Sequence, residues 1–366
     1  MSVRRETGGV VSRVLYGEQS WNPLARTVEL TEDGLRRGGR TTPLGELNLA
    51  AMAEAYQRGH WLGGGGAERP LDRLPRDAGA VPVTRVTGTS KPVKVRRAAE
   101  FARALGELAL RHSGGPEGVG ALASRAWAEG VPLWIARRHT QGPAGPVTVA
   151  VDRRLVRVDV WAPHAPVVRI RAPHGFHRDD ADPAKGLRLT VGEATARLAL
   201  RKKLRKSKSS VDVELPGGPR WALRRADASS SWLLRDDRRV ALLTRPPRRP
   251  AVEPGAVLLP LAPVRYESAD PLDAVMAQAF AVSFGLGDTT GLARFRSERR
   301  LVDAGEPVAT DADWDRSWFS NLGSGSDDNE PGGGDGWGSD GGDGGDGGGG
   351  GGGDGGGDGG GGGGGD

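Results

Sequence analysis

The chain has 366 residues, no cysteine and a formal net charge of +5. The missing cysteines exclude disulfides, thiolate metal sites and cysteine nucleophiles. The net charge conceals two opposed parts: residues 327–366 hold nine Asp, one Glu and no Lys or Arg, which is −10 and leaves +15 on residues 1–326. A basic body points to acidic partners such as nucleic acid or anionic lipid. No apolar segment follows Met1-Ser-Val-Arg-Arg, and no run approaches about 18 apolar residues, so neither a signal peptide nor a membrane span is expected. A cytoplasmic location fits.

Residues 1–62 read as a small hairpin-plus-helix region. Arg26-Thr-Val-Glu-Leu-Thr31 alternates, Asp33-Gly34 is a hairpin signal, and Leu35 opens the return strand. Thr42-Pro43 then predicts the cap and first turn of a helix over about 43–58, with Leu47, Ala50, Ala51 and Ala55 inward and Gly59 ending it. Gly63 to Gly66 begin a Pro/Gly/Arg-rich stretch, 63–92, expected as a linker. In 93–140, Phe101, Leu105 and Leu108 and then Val119, Leu122 and Trp127 recur at helical spacing on either side of Ser113-Gly-Gly-Pro116. That predicts a helical hairpin ending at Gly130.

From 146 to 262 the period becomes two. Ten short candidate strands run from Val147–Val151 to Ala256–Leu261, punctuated by Pro, Gly and Asp. Asp270-Pro-Leu-Asp then caps a helix over 271–284 in which Leu272, Val275, Met276, Ala279, Phe280, Val282 and Phe284 leave no polar face. A helix apolar all round must be enclosed. At about 1.5 Å per residue it is too short for about 30 Å of hydrocarbon, so the preceding strands are the natural wrapper. The expected fold class is α+β: an antiparallel β-barrel or sandwich over 146–295, enclosing or packed on this hydrophobic C-terminal helix. A mainly helical N-terminal region precedes it. A terminal segment, 296–326, and a Gly/Asp tail, 327–366, follow. The tail has 26 glycines between Gly332 and Gly365 and no apolar area to offset its ordering entropy, so it is expected to be disordered.

Trp221-Ala-Leu-Arg-Arg followed by Trp232-Leu-Leu-Arg-Asp-Asp-Arg-Arg-Val-Ala-Leu-Leu, closed by the apolar Asp-Pro-Leu helix, resembles the tubby-like superfamily. That group includes tubby domains, phospholipid scramblases and LURP-one-related proteins. The resemblance covers about 146–295 and implies a twelve-stranded barrel threaded by a hydrophobic helix. Two further strands would have to come from the N-terminal hairpin, if they exist. Tubby domains bind phosphoinositides through basic side chains; no binding residue is carried over.

The densest charge is Arg201, Lys202, Lys203, Arg205, Lys206 and Lys208, between two predicted strands. These residues are the candidate anion-binding site, for lipid headgroups or a phosphate backbone. No aromatic residue interrupts the run, which argues against stacking single-stranded bases. His164, His174 and His177, beside Asp179 and Asp180, supply metal-ligand chemistry without a recognised spacing, and a surface loop explains them as well. Gly285-Leu-Gly-Asp-Thr-Thr-Gly291 follows a helix rather than preceding one, so it reads as a capped turn and not a phosphate loop. Trp21, Trp61, Trp127, Trp134, Trp161, Trp221 and Trp232 are expected in core or rim packing. Trp314, Trp318 and Trp337 lie in the acidic part and could serve as aromatic docking anchors.

Three functions follow from these features. The first is a non-enzymatic binding or scaffold protein that meets anionic lipid, or a protein partner, through a basic surface at the membrane periphery. The second is a nucleic-acid-binding protein that uses the same charge. The third is a metal-dependent hydrolase at the His/Asp loop. The first reading needs no cofactor.

Overall fold

A computed structural model describes residues 13–18, 27–152, 157–171, 184, 186–201, 210–227, 229–244, 257–258 and 260–284. Four short strands open the chain: β1 (Val14–Gly17), β2 (Val28–Thr31), β3 (Gly34–Arg37) and β4 (Arg40–Pro43). They pair in that order as one antiparallel sheet. The Asp33-Gly34 turn sits where the pattern placed it, and a side chain at Gly34 would come within 2.6 Å of the Thr42 carbonyl oxygen.

Helix α1 (Leu49–Gln57) starts later than expected. Thr42-Pro43 closes β4, where residues 40–43 pair with β3, and Leu44–Glu46 makes a single 3₁₀ turn. The cap is Asn48, whose side-chain oxygen accepts from the Ala51 N–H at 3.2 Å while its amide donates to the Leu133 carbonyl.

The stretch 63–92 is not a linker. β5 (His60–Leu62) pairs with β6 (Glu68–Pro70), and β7 (Gly79–Thr84) pairs with β8 (Ser90–Val95). Trp61 is fully buried and its indole donates to the Pro82 carbonyl. Val81, Val83, Val93 and Val95 join the same core. Prolines masked this signal, since Pro82 and Pro92 stand directly opposite each other in the ladder. A two-stranded ribbon tolerates them because each strand keeps a free edge.

Helices α2 (Ala98–His112) and α3 (Gly115–Glu129) form the expected hairpin, and Gly130 ends it in the left-handed conformation. Gly106 lets Tyr56 of α1 lie against α2; a Cβ there would sit 2.3 Å from the Tyr56 ring. Tyr16, Phe101, Leu105, Leu108 and Val119 belong to the core shared by the helices and the small sheets. The N-terminal region is therefore mixed rather than mainly helical, because its strands are too short and too proline-rich to announce themselves. Trp127 also departs from expectation: it is 88% exposed on α3.

Eleven strands follow: β9 (Arg137–Gly142), β10 (Gly145–Asp152), β11 (Arg157–Trp161), β12 (Val168–Arg171), β13 (Arg188–Val191), β14 (Ala194–Arg201), β15 (Ser210–Glu214), β16 (Arg220–Arg225), β17 (Ser230–Arg235), β18 (Arg238–Thr244) and β19 (Val264–Tyr266). Each pairs antiparallel with the next in one continuous sheet, a large and nearly closed barrel. Two-residue turns join β9 to β10, β13 to β14 and β17 to β18. Asp236 and Asp237, at φ of 48° and 64°, form the turn that matches strand twist between β17 and β18.

Nine of the ten expected strands are present. The tenth, 256–261, is not a strand at any described residue, and the chain pairs at β19 instead. The two strands that the pattern missed, β9 and β19, are the sheet's edges. One is polar (Arg-Arg-His-Thr-Gln-Gly) and the other has three residues, as edges often are. The N-terminal strands keep to their own sheets and add none to the barrel.

Helix α4 (Pro271–Ser283) carries eleven buried residues out of thirteen. It touches β10, β11 and β12 near one edge of the sheet and β18 and β19 at the other. Met276, Phe280 and Phe284 share one core cluster with Val149, Val160, Val213, Trp221 and Leu233. Each large side chain buried this way contributes about 1.5–3 kcal/mol relative to exposure. No described helix is long and apolar enough to cross a membrane.

Candidate functional site

Strand alternation divides β14 to β19 into two faces. Leu200, Val211, Val213, Leu223, Leu233 and Leu243 point into the core. Their neighbours along the strands therefore point outward, and register lines them up. Arg201 pairs with Ser210, Ser210 with Arg224, Arg224 with Trp232, Trp232 with Leu242 and Leu242 with Arg265. This row crosses five ladders on the outside of the barrel.

Trp232 lies at its centre, half-buried. The Arg239 guanidinium sits 4.5 Å from its ring centroid and that of Arg265 sits 5.6 Å away. Such contacts hold cations over the ring face and are worth roughly 0.5–1 kcal/mol each at exposed sites. Beside the row, the Asp212 carboxylate is 5% exposed. Its Oδ1 accepts from Arg220 and Arg224, each at 2.7 Å, its Oδ2 accepts from Ser210 at 2.9 Å, and Arg201 approaches to 3.8 Å. Burial works against ionisation of Asp212, yet the hydrogen bonds from Arg224, Arg220 and Ser210 outweigh it and hold its pKa below the ordinary value. One carboxylate thus orders three guanidiniums without neutralising them. Those of Arg201, Arg220 and Arg224 remain 59%, 46% and 37% exposed.

Of the expected anion-binding residues, Arg201 ends β14 on this face. Lys202, Lys203, Arg205, Lys206 and Lys208 lie outside the described residues. Arg201 and Ser210 are register partners at the end of the β14–β15 ladder. Arg201 and Ser210, the described residues on either side of the basic run, thus both stand in the row that holds Arg224 and Trp232. Sequence reading missed Arg220, Arg224, Trp232, Arg239 and Arg265. Alternation alone assigns Arg224 and Trp232 to the face opposite Leu223 and Leu233, but bringing them together requires the register.

A second polar cluster joins the barrel to α3. Asp159 is fully buried and accepts from Arg157 at 3.0 Å, Arg169 at 2.6 Å and Arg171. Arg157 and Arg169 also donate to the carbonyls of Gly130 and Glu129, the C-terminal end of α3, where the helix dipole favours cations. Arg137 donates to the carbonyls of Val131, Pro132 and Ile135. Burial pushes the pKa of Arg137 and Arg171 down, against the pull of Glu129 and Asp159 respectively. These guanidiniums are spent on internal acceptors, so the cluster is a clasp between units.

His164 sits exposed in the turn between β11 and β12, at φ 64°. His174, His177, Asp179 and Asp180 lie outside the described residues, and among the described residues no three His, Asp or Glu side chains come together as a metal site. Gly285 to Gly291, Trp21, Trp314, Trp318 and Trp337 also fall outside them. No protein-family model, curated protein or solved structure matches the chain.

Proposed function

We propose that this chain is a non-enzymatic binding module that meets an anionic membrane surface through the outer face of β14 to β19. The observation that carries the reading is the Trp232 row. An outward tryptophan flanked by Arg224, Arg239 and Arg265 shares its row with Arg201 and Ser210, the described residues on either side of the basic run. Tryptophan settles at headgroup depth, with an apolar body and a polar N–H. Each Lys or Arg near an anionic leaflet adds about 1 kcal/mol. The buried α4 fills the middle of the barrel, which favours recognition on the outside over an enclosed active site. The tubby-like resemblance agrees with this reading, since tubby domains bind phosphoinositides through basic side chains. We place the protein in the cytoplasm, peripheral to the membrane.

Flotation with vesicles of phosphatidylcholine alone or with phosphatidylserine and a phosphoinositide tests the proposal. The chain should float with the anionic vesicles only. Arg239→Glu with Arg265→Glu, both outside the Asp212 ion pairs, should abolish this while thermal unfolding stays near that of the parent chain. Equal flotation of parent and variant overturns it. Displacement of vesicles by duplex DNA at low concentration would instead favour the nucleic-acid reading.

A further inference from the structure

Helix α3 presents a face that the fold leaves uncovered. Only Val119 and Ala126 along it are buried, and Trp127 is 88% exposed, more than any other large apolar side chain among the described residues. Gly120, Ala121, Ser124 and Ala128 are exposed on the same side of the helix, by their spacing from Trp127. The exposed charges of α3 are Glu117 and Arg125, which cancel. A helix face turned to water is ordinarily rich in charge. This one is nearly bare, in a chain whose residues 1–326 carry +15.

Gly120 sharpens the point. Glycine inside a helix costs stability relative to alanine. At the neighbouring sites the fold accounts for that cost. A Cβ at Gly106 would strike the Tyr56 ring, and one at Gly118 would sit 2.2 Å from the Ser113 carbonyl oxygen. A Cβ at Gly120 would meet nothing within 4 Å, so no contact within the chain calls for glycine there. This open notch lies two helical turns, about 10 Å, from the Trp127 ring position. A notch without a knob and a knob without a notch thus share one face.

We infer that α3 pairs with α3 of a second copy of this chain, antiparallel about a two-fold axis near Ser124. Trp127 of each protomer then enters the Gly120 notch of the other, as the Tyr56 ring already lies against Gly106 within one chain. A two-fold interface requires a surface that complements itself. A second copy carries the same knob and notch at the same separation, so both are filled at once. Ala121, Ser124 and Ala128 are short and let the two backbones approach. The face also offers two basic bodies a surface of zero net charge, where their mutual repulsion opposes contact least. Two indoles bring about 150–250 Å² each. One helix face adds little more, so the contact falls short of the roughly 1,600 Å² of a standard interface and the dimer is a weak one. It does not rest on the membrane reading, since α3 lies outside β14 to β19.

Sedimentation equilibrium of the full chain from about 1 to about 300 µM, a range that spans weak association, tests the inference. The expected result is a reversible monomer–dimer equilibrium. Trp127→Glu should weaken it at least about tenfold. Gly120→Gln should weaken it as well, with thermal unfolding at or above the parental temperature, because the fold has room for the side chain. The chain has no cysteine, so Ser124→Cys supplies a single thiol near the axis. Mild oxidation should link two protomers through it, and far fewer when Trp127→Glu is added. A parent chain that stays monomeric throughout the range overturns the inference. So does parental dimerisation of both Trp127→Glu and Gly120→Gln, each checked for folding by circular dichroism, or equal cross-linking with and without Trp127→Glu.

Discussion

The indole N–H of Trp221 donates to Oδ1 of Asp273 at 2.9 Å, tying strand β16 of the barrel to the first turn of the buried helix α4. Both side chains are buried, Trp221 completely and Asp273 to 2% exposure. Ser268 donates to the other carboxylate oxygen at 2.8 Å, and Arg235 reaches Asp273 at 3.4 Å and also pairs with the capping Asp270. The contact sets the register between wall and helix, because Asp273 has its donors only when α4 enters at this depth.

Trp221→Phe keeps most of the volume and removes the donor. The expected loss is about 1–3 kcal/mol of unfolding free energy, the cost of a buried acceptor short of a partner. Chemical denaturation measures it; a loss below about 0.5 kcal/mol would mean that the bond contributes little.

Asp159→Ala should cost more, about 3–5 kcal/mol, because it strands the Arg157, Arg169 and Arg171 guanidiniums around a vacated buried site. Since Arg157 and Arg169 also hold the end of α3, hydrogen exchange should accelerate in the last turn of α3 before it does in β16 to β18. A uniform acceleration would show that the cluster does not clasp the two units.

Acid should act through Asp212. Its folded pKa is depressed below the ordinary value of 3.8, so it binds a proton more readily when unfolded. Its contribution is fully present above that value and is lost as pH falls through the folded pKa. Asp212→Asn should therefore be less stable than the parent at neutral pH, with the gap closing below about pH 4. Thermal unfolding from about pH 6 to about pH 2 would detect this, and a gap constant across that range would rule out Asp212 as a contributor to acid sensitivity.

Removing residues 327–366 deletes ten negative charges and no positive ones. If that segment screens the basic body, the truncated chain should bind anionic vesicles more tightly, with the difference shrinking as salt rises. Unchanged binding at low salt would count against screening.

The barrel strands were legible where one face is buried and the other reaches solvent, as in Val168-Arg-Ile170, because burial on a single side imposes a period of two. α4 was legible for a different reason. Asp270 and Pro271 mark its start, and the residues after them are apolar in every direction, which only an enclosing wall can satisfy. The edges β9 and β19 were hidden because an edge strand has less to bury and cannot afford a long apolar run. The β7–β8 ribbon was hidden by Pro82 and Pro92, whose local preference against sheet was overridden by burial of Val81, Val83 and Val93.

The sequence by itself determined the chemistry of the parts: a basic body, an acidic tail, a meander of short strands and a helix requiring enclosure. Each of these is a local property of composition or period. Only the tertiary structure decided which charges act together. Arg201, Arg224, Trp232 and Arg265 are spread over more than sixty positions of chain, and Asp159 and Gly130 belong to different units. Their meeting depends on strand register and on the docking of α3, and both are settled by burying apolar side chains elsewhere, on the inner faces that these polar residues turn away from.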